Sequence, residues 1–215
     1  METKLLFQDA SQFATPLLAV FAVDTAQGKD AESRPVLLTT SDAITQAAEK
    51  FLRTGEFNGA LGETLLLHAP GGVKAERLLI VGLGKVKSLS IDQVRKGAGT
   101  AVRAAKPRSL PEVAIAFPED QALADEHLES LPRELTARAI AEGAGLADFD
   151  WDTYRSDRKD KSLDTLTVIA RASDGPATEA IEAGFAEGSI IARAQNFART
   201  LINEPGNVLN PTVLG

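Results

Sequence analysis

Few side chains in this sequence are grouped as chemistry would require, and each grouping lacks a part. The two histidines are His68 and His127. A zinc-protease helix needs a second histidine four residues after the first, but Leu131 stands where His127 would want one. Gly82-Leu-Gly84-Lys85 follows an apolar run, as in a nucleotide-binding turn. The dinucleotide fingerprint would need a third glycine where Lys87 stands. A phosphate loop ending at Lys85 would need glycine in place of Leu79 and Ser or Thr in place of Val86. Asp148, Asp150 and Asp152 alternate like the start of a calcium loop, but Thr153 and Lys159 occupy the obligatory glycine and glutamate positions. That run reads instead as a helix exit with Phe149 and Trp151 turned inward.

Arg155 to Lys161 is a charge run beside Trp151 and Tyr154, with two aspartates interleaved. A solvated loop accounts for it better than a nucleic-acid patch, because the chain carries a net charge of −7. Ser109 and Ser189 lack the Gly-x-Ser-x-Gly turn of an acyl-enzyme. No cysteine is present, which excludes disulfides, thiolate metal sites and a cysteine nucleophile. No catalytic, cofactor-binding or metal-ligating residue is therefore assigned.

The elements around these groups are clearer. Leu78 to Val81 is apolar without alternation, which predicts a strand buried on both faces, central in a sheet with helices above and below. Before it, strands are expected at Leu17 to Val23, Pro35 to Leu38 and Glu63 to Ala69. The Pro70-Gly71-Gly72 turn predicts that the last of these pairs antiparallel with the central strand. Asp42 is the expected N-cap of a helix burying Ile44, Ala47, Ala48, Phe51 and Leu52, stopped by Gly55. His68 reads as a partly buried strand end, and His127 as the wet face of a helix.

After the central strand, Ser90 and Gln93 form a capping-box pattern. The helix behind it carries Gly97 and Gly99, expected where it lies close against the sheet. Further expectations are a strand over Val113 to Phe117, helices over Ala122 to Leu131 and Leu135 to Ala147, and a strand over Leu163 to Ala170. The last element, Ala177 to Asn203, keeps helical spacing without a proline and would span roughly 40 Å. Gly184 and Gly188 lie on its apolar stripe and predict a close backbone neighbour. Asn210-Pro211 then opens another helix, which predicts a second domain beginning there.

Ala198-Arg-Thr-Leu-Ile-Asn-Glu-Pro-Gly-Asn-Val-Leu-Asn-Pro211 resembles the segment joining the two domains of leucyl (cytosol) aminopeptidases. Weaker likenesses precede it in the same order at Glu56 to Glu63, Leu78 to Lys85 and Ala139 to Tyr154. The resemblance implies a three-layer α/β fold, a mixed sheet flanked by helices as in macro domains, followed by a long linker helix. It implies a domain over residues 1–175, an interdomain helix over 176–204 and the start of a catalytic domain at 205–215. It further implies a cytoplasmic homohexamer whose catalytic domain holds two divalent metal ions, manganese or zinc. In the family, a lysine, three aspartates and a glutamate bind them, and the Asn-Thr-Asp-Ala-Glu-Gly-Arg stretch that carries part of this set is absent here. This chain is accordingly expected to bind no cofactor and to be inactive by itself, with its own catalytic domain and other subunits as partners. Peptide substrate would be met only through that domain, with no role for nucleic acid or membrane. The competing expectation is a stand-alone macro-like module that binds ADP-ribose along Gly71-Gly72 or Gly82 to Lys87.

Overall fold

The computed structural model describes residues 1–26, 32–119, 123, 131–156, 163–171 and 174–209. Among these residues, seven strands form one mixed sheet. They are β1 (Glu2–Phe7), β2 (Leu18–Asp24), β3 (Pro35–Leu37), β4 (Thr64–His68), β5 (Arg77–Lys85), β6 (Glu112–Ala116) and β7 (Thr165–Ala170). The order is β1-β7-β6-β2-β5-β4, with β3 added to β2. β1, β7, β6, β2 and β5 run parallel, while β4 and β3 are antiparallel to their neighbours. The β4–β5 hairpin is as the sequence predicts.

β2 is the pivot of the sheet. One edge pairs with β5; the other pairs with β6 at Leu18 and Ala19, then with β3 from Ala22 to Asp24. Such a strand has no wet edge or face, and every residue of it is buried. Alternate side chains feed two cores, as the strand period of two requires. Ala19, Phe21 and Val23 join Leu79, Val81 and Ile115 on one face. Leu18, Val20 and Ala22 join Leu78, Ile80 and Ala114 on the other.

The helices are α1 (Asp42–Leu52), α2 (Ile91–Ala105), α3 (Arg133–Asp148) and α4 (Gly175–Asn203). Ile44 and Ala48 of α1 cover the second face. The first face takes α2, α3 and the start of α4, through residues such as Val94, Val102, Ile140 and Ile181. Three layers result. α3 lies between α2 and α4, so its apolar and small residues are buried around much of its circumference.

That placement requires small residues at both seams. A Cβ on Gly143 of α3 would lie 2.0 Å from the Arg95 carbonyl oxygen of α2. A Cβ on Gly184 of α4 would lie 1.9 Å from the Glu134 oxygen, and one on Gly188 2.4 Å from the Arg138 oxygen. The close neighbour expected for Gly184 and Gly188 is therefore α3. Charge braces the same seams. Buried Glu142 accepts from Arg95 at 2.7 Å and from Arg138 at 2.8 Å, and Arg138 reaches Glu187 of α4 at 3.1 Å.

Several details differ from the sequence reading. β1 was not expected; it occupies the sheet edge, where one free side permits a more polar strand. β5 is interior but next to the β4 edge, and β2 takes the middle. Ser41, not Asp42, is the N-cap of α1. Ser90 is the N-cap of α2, but its side chain makes no capping bond. Gly97 meets the sheet through Leu83 and Phe21, as expected, whereas a Cβ on Gly99 would lie 3.2 Å from the Gly143 carbonyl oxygen of α3. A helix over Ala122 to Leu131 falls almost wholly outside the described residues, and so does the segment from Asn210 to Gly215.

Two measurements test the helix layer. Gly184→Ala should lower stability by about 1–3 kcal/mol in urea unfolding, since overpacking forces backbone shifts. Gly206→Ala, at a position with open space around it, should change it by less than about 0.5 kcal/mol.

For Glu142, burial pushes the carboxyl upward, but the hydrogen bonds from Arg138 and Arg95 and their positive charge outweigh it, leaving it below its ordinary 4.5. A depressed carboxylate contributes stability above pH 4.5, and that contribution is lost as pH falls through the folded value. Glu142→Gln should therefore cost about 1–3 kcal/mol at pH 7, because both arginines are partly hydrated. The gap from the parent should narrow as unfolding is repeated below pH 4.5.

Candidate functional site

Parallel α/β sheets bind ligands outside the carboxyl ends of their strands, at a switch in strand order. Here that place is where β6 leaves β2 and β3 takes over the edge. Gln8 and Asp9 follow β1, Phe117 and Glu119 follow β6, and Arg171 follows β7. The loop after β3 adds Thr39, Thr40 and Ser41. All of these but Thr40 line a cavity of only about 10 Å³, the room of a single water.

The cavity is small because its polar groups satisfy one another. Glu119 accepts from the Thr40 backbone N–H at 2.5 Å and from its hydroxyl at 2.6 Å. Arg171 donates to Glu119 at 3.3 Å and lies 3.8 Å from Asp9. Asp9 also accepts from the Ser11 N–H at 2.8 Å and the Ser41 hydroxyl at 3.4 Å. Burial raises the Asp9 carboxyl, but the Ser11 hydrogen bonds and the Arg171 charge outweigh it and hold it low. The cluster pins three strand ends to the loop that enters α1. Sequence reasoning missed it, since its members lie up to 162 residues apart; their only shared signal is a position just past a strand end.

Gly82 to Lys85 does not turn but continues β5, and its backbone is occupied by the chain itself. Gly82 N–H donates to the Glu63 carbonyl at 2.8 Å, Gly62 N–H donates to the Gly82 carbonyl at 2.9 Å, and Gly84 N–H donates to Gly59 at 2.8 Å. A Cβ on Gly82 would lie 2.2 Å from the Ala60 oxygen. The Gly82 and Gly84 N–H groups are spent on the segment at residues 59–63, so glycine here permits close strand-to-turn packing. Gly71 and Gly72 lie before β5, at the opposite end of that strand from its carboxyl end. The ADP-ribose reading therefore has no support.

The remaining candidates fall apart in space. His68 is exposed at the end of the edge strand β4, not partly buried. His127, Lys159 and most of the run from Arg155 to Lys161 lie outside the described residues. Asp148 and Asp150 serve Lys106, a buried lysine at the end of α2. Its Nζ lies 2.6 Å from Asp150 and donates to the Asp148 carbonyl at 2.7 Å. Asp152 pairs with Arg155 at 3.6 Å, while Phe149 and Trp151 are half-buried. Ser109 takes a left-handed turn conformation with φ of 51°. Ser189 sits on α4 with its hydroxyl buried. Among the described residues, no group of three or more His, Asp or Glu converges as a metal site would need. The implied metal pair does not fit these residues, and no chemical step through metal is derived for them.

What the structure does position firmly is α4. At 29 residues it extends roughly 43 Å. Its later turns are held by the end of α3 and the segment that follows. Asn196 donates to the Gly145 carbonyl at 2.9 Å, and Arg199 donates to the Leu146 carbonyl at 3.0 Å and lies over the Phe149 ring. Tyr154 donates to Glu204 at the helix end. The last turn of α4, from Ala198, begins the segment that carries the strongest family resemblance.

Among the described residues, fold and site thus define a mixed α/β domain with one helix on one face and a braced three-helix layer on the other. Residues 18–158 match the family model described as "Cytosol aminopeptidase family, N-terminal domain". The chain belongs to the cytosol aminopeptidase family, whose N-terminal domain it represents.

"Probable cytosol aminopeptidase" of Acidobacterium capsulatum is 45% identical over all of this chain, and the same-named protein of Koribacter versatilis is 42% identical. The chain spans 42% of the length of each. Among solved structures, "Bottromycin maturation enzyme BotP in complex with Mn" superposes with a TM-score of 0.62 at 27% identity, covering 94% of this chain and 34% of that one. A mutant of tomato leucine aminopeptidase superposes with a TM-score of 0.68 over 100% of this chain and 40% of that one. At 21% identity it supports the fold alone.

Among the described residues, no helix is long and apolar enough to cross a membrane.

Proposed function

We propose that this chain is the non-catalytic N-terminal domain of a metal-dependent leucyl aminopeptidase, positioning the catalytic domain and helping to assemble a homohexamer. The full-length protein would release N-terminal amino acids from peptides in the cytoplasm. Two divalent ions, manganese or zinc, would belong to the catalytic domain and would supply Lewis-acid activation for peptide hydrolysis there. Residues 1–175 would form the domain proper, 176–204 the interdomain helix and 205–215 the entry into the catalytic domain. Peptide would meet only that second domain, and neither nucleic acid nor membrane is a partner.

The observation that carries this reading is the family match to an N-terminal domain on a chain spanning 42% of its curated relatives. The manganese named with the bottromycin enzyme favours a divalent metal. The polar side chains at the strand ends, spent on one another, favour a scaffold role for this domain.

The test compares the full-length protein with residues 1–215 on a leucine amide substrate, with added manganese or zinc. Full-length protein should hydrolyse it and lose activity to a chelator, while the 215-residue chain should show none. Hydrolysis by the short chain, or a metal-loaded full-length protein without activity, would overturn the reading.

A further inference from the structure

α4 has two apolar stripes, and α3 uses only one of them. Ile181, Gly184, Phe185, Gly188 and Ala192 are buried, stepping at helical spacing along the side that meets α3. Ile190, Ala194, Phe197 and Leu201 repeat the same spacing on the opposite side, because residue 190 is half a turn from both 188 and 192. On this outer side Ile190 is 57% and Phe197 65% exposed, while Ala194 is exposed and Leu201 half-buried. A solvated helix face would carry charge at these positions. An apolar stripe along several turns is instead the pattern of a helix buried on both sides.

We infer that this outer stripe, centred on Phe197, is the surface on which the C-terminal portion of the same full-length polypeptide docks. The inference rests on the reading of the chain as an N-terminal domain and names the face that positions its catalytic partner. Three observations select that occupant. More than half of each curated relative's length lies outside the span of this chain. The stripe occupies the later turns of α4, and the following chain must leave close to it. Those turns are fixed to α3 by Asn196 and Arg199, so a body docked there is held in one orientation. Arg193, beside the stripe, donates to the Ser189 carbonyl and has no carboxylate partner among the described residues. The docking surface is therefore apolar, with an acidic group placed to meet Arg193.

The experiment uses full-length protein carrying Phe197→Cys, with Lys96→Cys at an exposed position of α2 as control. The described domain contributes no native cysteine, and maleimide labelling is read at each position by peptide mass spectrometry. Docking predicts labelling at 197 at least about tenfold slower than at 96, since reaction must wait for local opening. The protection should persist on dilution to single subunits. Equal labelling rates would overturn the inference. So would protection that disappears on dilution, which would assign the stripe to a second copy. Labelling is independent of hydrolysis. A protected Phe197→Cys in a protein without peptidase activity would refute the proposed reaction and leave the docking face standing; rapid labelling in an active enzyme would do the reverse.

Discussion

The close approach of α3 to its two neighbours is the constraint on which the rest of the helical layer depends. Helix axes normally lie 8–10 Å apart, with side chains filling the gap. At Gly143, Gly184 and Gly188 even a methyl group would collide with a neighbouring backbone carbonyl or its surroundings. α2, α3 and α4 are thereby drawn into one slab above the sheet. The tightness has an electrostatic consequence, because it buries Glu142 between helices where a lone carboxylate would be costly. Arg95 and Arg138 approach it from α2 and from its own helix, and Arg138 passes the tie on to Glu187. Packing and charge pairing are thus one device seen in two kinds of side chain.

A similar economy governs the carboxyl ends of the strands. In a nucleotide-binding sheet, glycines there leave backbone N–H groups facing an anion. Gly82 instead lets the turn at residues 59–62 close onto β5, and the hydrogen bonds run within the chain. Asp9, Glu119 and Arg171 close the neighbouring strand ends by pairing with one another and with the entry to α1. Both arrangements exchange ligand-binding capacity for rigidity.

Much of this architecture was legible in the residues. The unbroken apolar run at Leu78 to Val81 could belong only to a strand covered on both faces, and the Pro-Gly-Gly turn fixed its antiparallel partner. The long final helix and its small-residue stripe were equally plain, because periodicity and the absence of proline are local properties. What stayed hidden was tertiary. Gly99 looked like Gly97, yet one meets a helix and the other the sheet. Ser90 and Gln93 satisfy a capping pattern, but the capping side chain makes no such bond. β1 lacks a strong pattern because an edge strand needs none. Arg171 and Asp9 meet only once the sheet order is known.

The same distinction explains α4. A helix that ends where its sheet ends needs one apolar stripe, and α4 has that stripe in Ile181 to Ala192. Stability of this domain does not require Ile190 or Phe197, which contribute almost nothing to its core. Large apolar side chains in ordered, periodic positions still expose surface to water, at about 25 cal/mol for each Å² that burial would recover. Placing them along a helix already immobilised by Asn196, Arg199 and Tyr154 keeps the ordering cost of a later contact small, since no backbone freedom remains there to be lost. A rigid helix with one satisfied and one unsatisfied apolar side can transmit position. A flexible linker of the same length would join two domains without orienting them.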